Sequence, residues 1–138
     1  AAAGLEDSVR FVGYLDRRSE LPDCYAADVF AFASRTETQG LVLLEAMAQS
    51  LPVVSTACLG TRSVLMPASG ARVVPESHTE FADAVAGVLA DAAQARSIGE
   101  QGRQWAQRWS SREMARRMAG FYGSLPRVRG LATTPVVP

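Results

Sequence analysis

Two kinds of hydrophobic pattern alternate along the chain. Short runs that are apolar at almost every position are typical of strands covered on both faces, and they predict strands over 9–12, 28–33, 52–56 and 71–74. Longer segments are apolar at helical spacing or throughout, and they predict helices over 19–27, 41–49, 61–66, 79–91, 94–109 and 111–124. Strands that alternate with helices in this way indicate an α/β fold with a parallel sheet.

The size and hydrophobic content of the chain are those of one domain. It has 138 residues, of which 48% are hydrophobic, enough to build a core. We assign the domain to residues 1–124 and expect residues 125–138 to form a flexible tail, because Pro126 ends the last predicted helix.

The charges and the rare residues exclude several functions. Fourteen basic and 14 acidic residues balance, so the chain has no electrostatic footprint for nucleic acid. All the basic residues are Arg, which excludes lysine chemistry within this chain.

Cys24 and Cys58 are predicted to be buried thiols in a reducing compartment. His78 is the only histidine and lies at an apparent helix start, so we predict a surface position and no metal site. We find no signal peptide and no membrane-spanning apolar run, which predicts a cytoplasmic protein.

Two carboxylates frame the start of the predicted helix over 41–49. Glu37 precedes it in a polar stretch, and Glu45 is the only charged residue within its apolar run. A helix N-terminus offers unpaired N–H groups to a phosphate, and Gly40 would allow close backbone approach there. Glu45 can accept two hydrogen bonds from a vicinal diol such as that of ribose, and Glu37 can hold hydroxyls on the far side of the phosphate. The spacing alone favours a solvated Glu37 and a helix-surface Glu45. The apolar neighbours of Glu45 argue against this, because a lone carboxylate in an apolar helix needs a hydrogen-bond partner.

The segment over 34–48, followed by 51–56, closely resembles the E-x7-E signature of retaining glycosyltransferases of family 4. The resemblance extends from about residue 9 to residue 75, through the segments 9–14, 25–30, 60–61 and 70–74. It implies a GT-B architecture, in which two Rossmann-like domains face each other across a cleft. The C-terminal domain holds a nucleoside-diphosphate sugar, the donor, and the N-terminal domain holds the acceptor. The implied fold class is a Rossmann-like parallel sheet flanked by helices.

The resemblance also implies a role for individual residues at the motif. Glu37 would contact the hydroxyls of the donor sugar and is the catalytic candidate. Backbone N–H groups around Gly40, Leu41 and Val42 would meet sugar or diphosphate oxygens. Glu45 would bind the ribose diol.

Two neighbouring loops would complete the donor site. The loop of Gly13, Tyr14 and Leu15 would lie against the nucleobase. The turn of Gly60 and Thr61 would help to form the floor of the site.

The chain departs from the family pattern in two respects. Many members have Gly-Phe after the first Glu, where this chain has Thr38 and Gln39, and we include both residues in the predicted donor site as a subfamily variant. Members also carry an Arg and a Lys that neutralise the leaving diphosphate, and this chain has no Lys. We therefore expect a fragment that lacks the first two strands of the domain and the whole acceptor domain, and that does not turn over by itself.

Several alternatives stay open from the sequence. The chain could be a non-catalytic nucleotide-binding or regulatory module, or part of a related GT-B sugar-nucleotide epimerase or phosphorylase. No cofactor is expected beyond the donor substrate, for which UDP-glucose is our first choice.

The C-terminal third is aromatic and rich in Arg. Trp105 and Trp109, with Met114, Met118 and Phe121 beyond them, are predicted to pack in the core. Six Arg residues between 108 and 129 are expected to form a solvated face. The alternative is peripheral contact of the full protein with the inner face of the membrane.

Overall fold

The computed structural model describes residues 4–16, 24–56 and 59–126. Within them three short strands form a parallel sheet in the order β1-β2-β3: β1 Phe30–Phe32, β2 Val53–Ser55 and β3 Arg72–Val73. The helices are α1 Leu41–Ala48, α2 Thr61–Val64, α3 His78–Ala90, α4 Ala92–Gln107 and α5 Ser111–Ser124. A 3₁₀ turn, Pro67–Ser69, joins α2 to β3. The predicted fold class, α/β with a parallel sheet flanked by helices, is confirmed.

The central strand is the most deeply buried part of the sheet. All three residues of β2 are buried, and Phe30 of β1 lies opposite Val53 in the parallel register. The side chains of neighbouring strand residues point to opposite faces, so Val53 and Val54 enter different halves of the core. This is why β2 reads as a continuous apolar run rather than as an alternating one.

Each face of the sheet carries its own hydrophobic cluster. On one face α1, α2 and the end of α4 pack around Val53, with buried residues Leu43, Leu44, Ala46, Met47, Leu51, Val64, Leu65 and Ala106. On the other face Ala84 and Val88 of α3 pack on Val54. Helix α4 lies close to the end of α1 because it presents Gly99 there: a Cβ on Gly99 would lie 2.0 Å from the carbonyl oxygen of Ser50.

Side-chain caps define where three helices begin. The Ser77 hydroxyl accepts the N–H of Glu80 at α3, the Asp91 carboxylate accepts two N–H groups at α4, and the Ser110 hydroxyl accepts the N–H of Glu113 at α5. Ser110 is therefore the cap of the last helix, whose bounds agree with the prediction.

The structure corrects the prediction for the first segment. Residues 9–12 were predicted to be a strand, but they have no strand conformation, and Phe11 is 95% exposed. A strand requires a neighbour to complete its hydrogen bonds, and no strand in the described part of the chain pairs with these residues.

The structure also corrects four burial predictions. Cys24 is exposed rather than buried, and Met114, Met118 and Phe121 are exposed because none of the residues of α5 is buried. Trp105 and Trp109 do pack against the core as predicted. Cys58, most of the helix over 19–27 and most of the tail over 125–138 lie outside the described residues. None of the helices described is long and apolar enough to cross a bilayer.

Candidate functional site

The candidate site lies at the edge of the sheet where the parallel strands end. The segment that leads from β1 to α1 carries Glu37, and Gly60 precedes α2 after β2. Connections that follow parallel strands emerge at the same edge, which is the usual location of ligand sites in open α/β sheets. The fold therefore brings together the Glu37 segment and the Gly60 turn, which are more than 20 residues apart in sequence.

The Glu37 carboxylate binds its own loop. Its Oε1 atom accepts the backbone N–H of Gln39 at 3.1 Å and that of Gly40 at 3.0 Å. These donated hydrogen bonds, first that of Gly40 and then that of Gln39, lower the pKa of the Glu37 carboxyl below its usual value of 4.5. Glu37 is thus an ionised group held in one position in front of α1.

Gly40 forms the entry to α1 and is required there for steric reasons. Its φ of 73° is in the left-handed region, and it is buried. A Cβ on Gly40 would lie 3.1 Å from Leu43 Cδ1 and 3.3 Å from Thr61 Cγ2. The glycine expected to admit a phosphate is thus needed by the fold itself, and its N–H is already donated to Glu37.

The next two N–H groups belong to the first turn of α1. The first N–H groups of a helix have no partner within the helix. Within the described part of the chain, the structure shows no acceptor for the N–H of Leu41 or of Val42. These two groups and the positive end of the helix dipole therefore form the anion-attracting part of the site.

The turn at Gly60 and Thr61 lies directly beneath the Glu37 loop. The N–H of Gly60 donates to the carbonyl oxygen of Glu37 at 3.2 Å. A Cβ on Gly60 would lie 1.9 Å from the carbonyl oxygen of Thr38, so the two backbones approach as closely as a glycine permits. Thr61 is fully buried, and its Cγ2 atom lies beside Gly40. The structure places both residues where a floor of the predicted site would lie.

Glu45 has the partner that its apolar surroundings require. It is half-buried on α1, and the hydroxyl of Tyr25 donates to its Oε2 atom at 3.1 Å. Tyr25 is not among the predicted site residues. No signal in the local pattern connects two residues 20 positions apart on different elements. Glu45 also lines an open cleft of about 540 Å³, together with Leu41, Arg103 and Ser110.

The remaining predicted residues lie at the periphery. Thr38 and Gln39 contribute backbone to the loop, while their side chains are exposed. Tyr14 is 99% exposed, so its ring does not pack against the residues around Glu37, and Gly13 has a positive φ of 68°. The described residues contain no group of three or more His, Cys, Asp or Glu side chains that could hold a metal ion.

The fold is a Rossmann-like α/β domain, and its candidate site has a helix N-terminus and two carboxylates at the carboxyl edge of a parallel sheet. The family described as "Glycosyl transferases group 1" matches residues 1–105, and the chain belongs to this family. The predicted resemblance to glycosyltransferases is thereby confirmed.

Individual relatives agree with this family. A D-inositol 3-phosphate glycosyltransferase from Corynebacterium urealyticum is 34% identical over 124 residues, which are 89% of this chain and 29% of the relative. A GDP-mannose-dependent alpha-(1-6)-phosphatidylinositol monomannoside mannosyltransferase from Mycobacterium tuberculosis is 36% identical over 128 residues, which are 86% of this chain and 33% of the relative.

A solved structure shows the same fold. Sucrose-phosphate synthase from Thermosynechococcus elongatus superimposes with a TM-score of 0.70 at 31% identity, over 86% of this chain and 30% of that one. The chain therefore spans about a third of the length of the relatives that it matches.

Proposed function

We propose that this chain forms the donor-binding part of a glycosyltransferase that moves a sugar from a nucleoside diphosphate to an acceptor hydroxyl with retention of configuration. The observation that carries the proposal is the position of two carboxylates around one helix N-terminus: Glu37 is held in front of α1, and Glu45 lies within it. Membership of the glycosyl transferases group 1 family supplies the class of reaction.

The diphosphate is assigned to the first turn of α1. Glu37 already accepts hydrogen bonds from the N–H groups of Gln39 and Gly40. The N–H groups that remain for phosphate oxygens are those of Leu41 and Val42. In a front-face reaction with retention, negative charge grows on the leaving phosphate, which accepts the proton of the incoming hydroxyl. N–H groups placed at that phosphate therefore stabilise the transition state more than the bound donor.

The donor sugar is assigned to the Glu37 side of this turn. The hydrogen bonds from Gln39 and Gly40 both end on the Oε1 atom of Glu37, and we assign the sugar hydroxyls to its Oε2 atom. The lowered pKa keeps the carboxylate ionised, and an ionised carboxylate is the stronger acceptor for sugar hydroxyls. Thr38 and Gln39 form the rim of this side, and Gly60 and Thr61 form its floor.

The ribose is assigned to Glu45. This residue is four positions after Leu41, which is about 6 Å along the helix axis. The Tyr25 hydroxyl donates to its Oε2 atom, and an ionised carboxylate has about four acceptor positions, so that it can accept from a vicinal diol in addition. The nucleobase is assigned to the loop of Gly13, Tyr14 and Leu15, where the exposed Tyr14 ring offers a stacking surface.

Donor binding is the property to test, because the chain spans about a third of the length of its relatives. We would titrate the 138-residue chain with UDP-glucose and with GDP-mannose and follow the two-dimensional amide spectrum. The proposal expects shifts centred on residues 40–45 for one of the two ligands, and the preferred ligand identifies the base. Two charge-assisted hydrogen bonds lost in Glu45→Ala would weaken binding about 100-fold.

A matched variant controls for the loss of a helix carboxylate. Glu80→Ala removes an exposed Glu from the first turn of α3, which packs on the opposite face of the sheet from α1, and should bind like the wild type. A folded wild-type chain whose spectrum neither ligand moves would refute donor binding by this segment. Equal weakening by both variants would refute the specific role of Glu45.

A further inference from the structure

The geometry points to Trp105 as a positioning residue for the donor site: its indole N–H holds α2 in place, and α2 in turn holds the Glu37 loop. This inference rests on the proposed function for its consequence on ligand binding. Its structural part concerns the unliganded protein and can be tested separately.

Helix α2 cannot maintain its own position. It comprises only the four residues Thr61–Val64, and a single turn is unstable without tertiary contacts. Its ends expose N–H and carbonyl groups that its own turn cannot satisfy. Contacts from the rest of the domain must therefore determine where α2 lies.

Trp105 provides such a contact from a distant element. Its Nε1–H group donates to the carbonyl oxygen of Val64 at 2.8 Å, across 41 residues of sequence. Val64 is the last residue of α2 and is fully buried, so its carbonyl group can be satisfied there only by a group that the fold brings to it. The indole ring itself packs against the α1 side of the core, and this packing holds the Nε1–H group in place.

The opposite end of α2 supports the Glu37 loop. The N–H of Gly60 donates to the Glu37 carbonyl, and its Cα lies so close to the Thr38 peptide that no Cβ fits between them. The Ser63 hydroxyl donates to the carbonyl oxygen of Gly60 at 2.7 Å and makes the short turn more rigid. A shift of α2 away from Trp105 is thus transmitted through backbone contacts to Glu37.

The candidate site depends on this support because backbone groups align its functional side chain. The Glu37 carboxylate is aligned by the N–H groups of Gln39 and Gly40, and a buried Thr61 packs beside Gly40. Loosening of α2 would therefore weaken two hydrogen bonds that Trp105 does not touch.

The test compares two tryptophans near the C-terminal end of α4: Trp105 lies within the helix, and Trp109 follows it. Trp105→Phe keeps an aromatic ring in the core and under Arg108, whose guanidinium carbon lies 5.2 Å from the ring centroid, but removes the N–H. Trp109→Phe is the matched control, because Trp109 is also half-buried against the core and the described residues offer no acceptor to its indole N–H.

The first readout is the unliganded amide spectrum together with amide hydrogen exchange. Trp105→Phe should shift the resonances of Gln39, Gly40 and Gly60 and accelerate the exchange of the first two, whereas Trp109→Phe should leave them unchanged. The inference is overturned if Trp105→Phe lowers thermal stability but leaves these three resonances and their exchange as in the wild type.

The second readout is the affinity for UDP and GDP. Because one neutral hydrogen bond is lost, the affinity of the Trp105→Phe variant should be about two- to tenfold weaker. Gly87→Ala, at an exposed position of α3 where a Cβ meets nothing within 4 Å, should bind with the wild-type affinity. A wild-type chain that binds neither nucleotide would count against the proposed function, while the amide readout would still decide the role of Trp105. If Trp105→Phe does not fold, β-(3-benzothienyl)alanine at position 105 replaces the N–H by sulfur within the same ring shape, and the same two outcomes apply.

Discussion

The contact between Gly60 and the Thr38 peptide provides the sharpest test of the site. In Gly60→Ala the new Cβ would lie 1.9 Å from the Thr38 carbonyl oxygen and 2.3 Å from its carbonyl carbon. Optimal contacts between such atoms are about 3.5 Å, so one of the two backbones must move by about 1.5 Å. Both neighbours are backbone atoms, which cannot rotate away as a side chain would.

The magnitude follows from two opposing terms. Overpacking in a close-packed region costs typically about 1–3 kcal/mol, and occasionally more. Gly60 has φ −60° and ψ −25°, which alanine adopts without strain and with a better helix propensity, by at most about 1 kcal/mol. We expect a net loss of about 2 kcal/mol, which lowers the melting temperature of a domain of this size by about 6–10 °C. The displaced loop should also bind nucleotide more weakly.

The assay is thermal unfolding followed by circular dichroism, with nucleotide titration of each folded variant. Gly87→Ala is the control, because Gly87 is exposed within α3 and a Cβ there meets nothing within 4 Å. It should stabilise the protein by about 0.5–1 kcal/mol. A Gly60→Ala variant that melts with the wild type and binds equally well would refute the close approach and the reasoning built on it.

Three further predictions concern the same region and its surroundings. Because the folded-state pKa of Glu37 is lowered, its hydrogen bonds to Gly40 and Gln39 stabilise the fold above the unfolded-state pKa of about 4.5, and this stability is lost as the pH falls through the lowered value. Glu37→Gln should therefore flatten the acid side of a stability profile measured by urea unfolding, and an unchanged profile would contradict the assigned bonds. NMR titration should find the Glu100 carboxyl with a pKa of about 2, held down mainly by its hydrogen bonds to Arg103, and Arg103→Gln should raise it. Leu59→Gly should stabilise the fold by up to about 1 kcal/mol in thermal unfolding, since this 67% exposed residue has a left-handed φ of 49°, and a loss of stability would show that its side chain is needed.

The agreement between sequence and structure is closest where one segment determines its own conformation. The apolar pattern located both ends of α1, α3, α4 and α5 to within about two residues. The apolar runs located all three strands of the sheet, although each is shorter than its run because a strand extends only as far as its neighbour pairs with it.

The prediction failed where a segment depends on a partner. The apolar run over 9–12 has the composition of a strand, yet nothing in the described structure pairs with it. Helix α5 has an apolar stripe at the right spacing, yet Met118 and Phe121 are exposed, because periodicity shows that a face is apolar and does not show what covers it. The exposed Cys24 is a third case, since burial is a property of the environment.

For the candidate site, the sequence by itself predicted the two carboxylates and the glycine before α1, and it indicated the family, which is confirmed. It did so because these features lie within one short segment, and the chemistry of that segment is local. Only the tertiary structure decided that Tyr25 supports Glu45, that Gly60 lies against the Thr38 peptide, and that Glu37 takes the N–H groups of Gln39 and Gly40. The first two contacts join residues 20 or more positions apart, and the third depends on a loop conformation that those contacts stabilise; such geometry exists only after the sheet and its helices have packed.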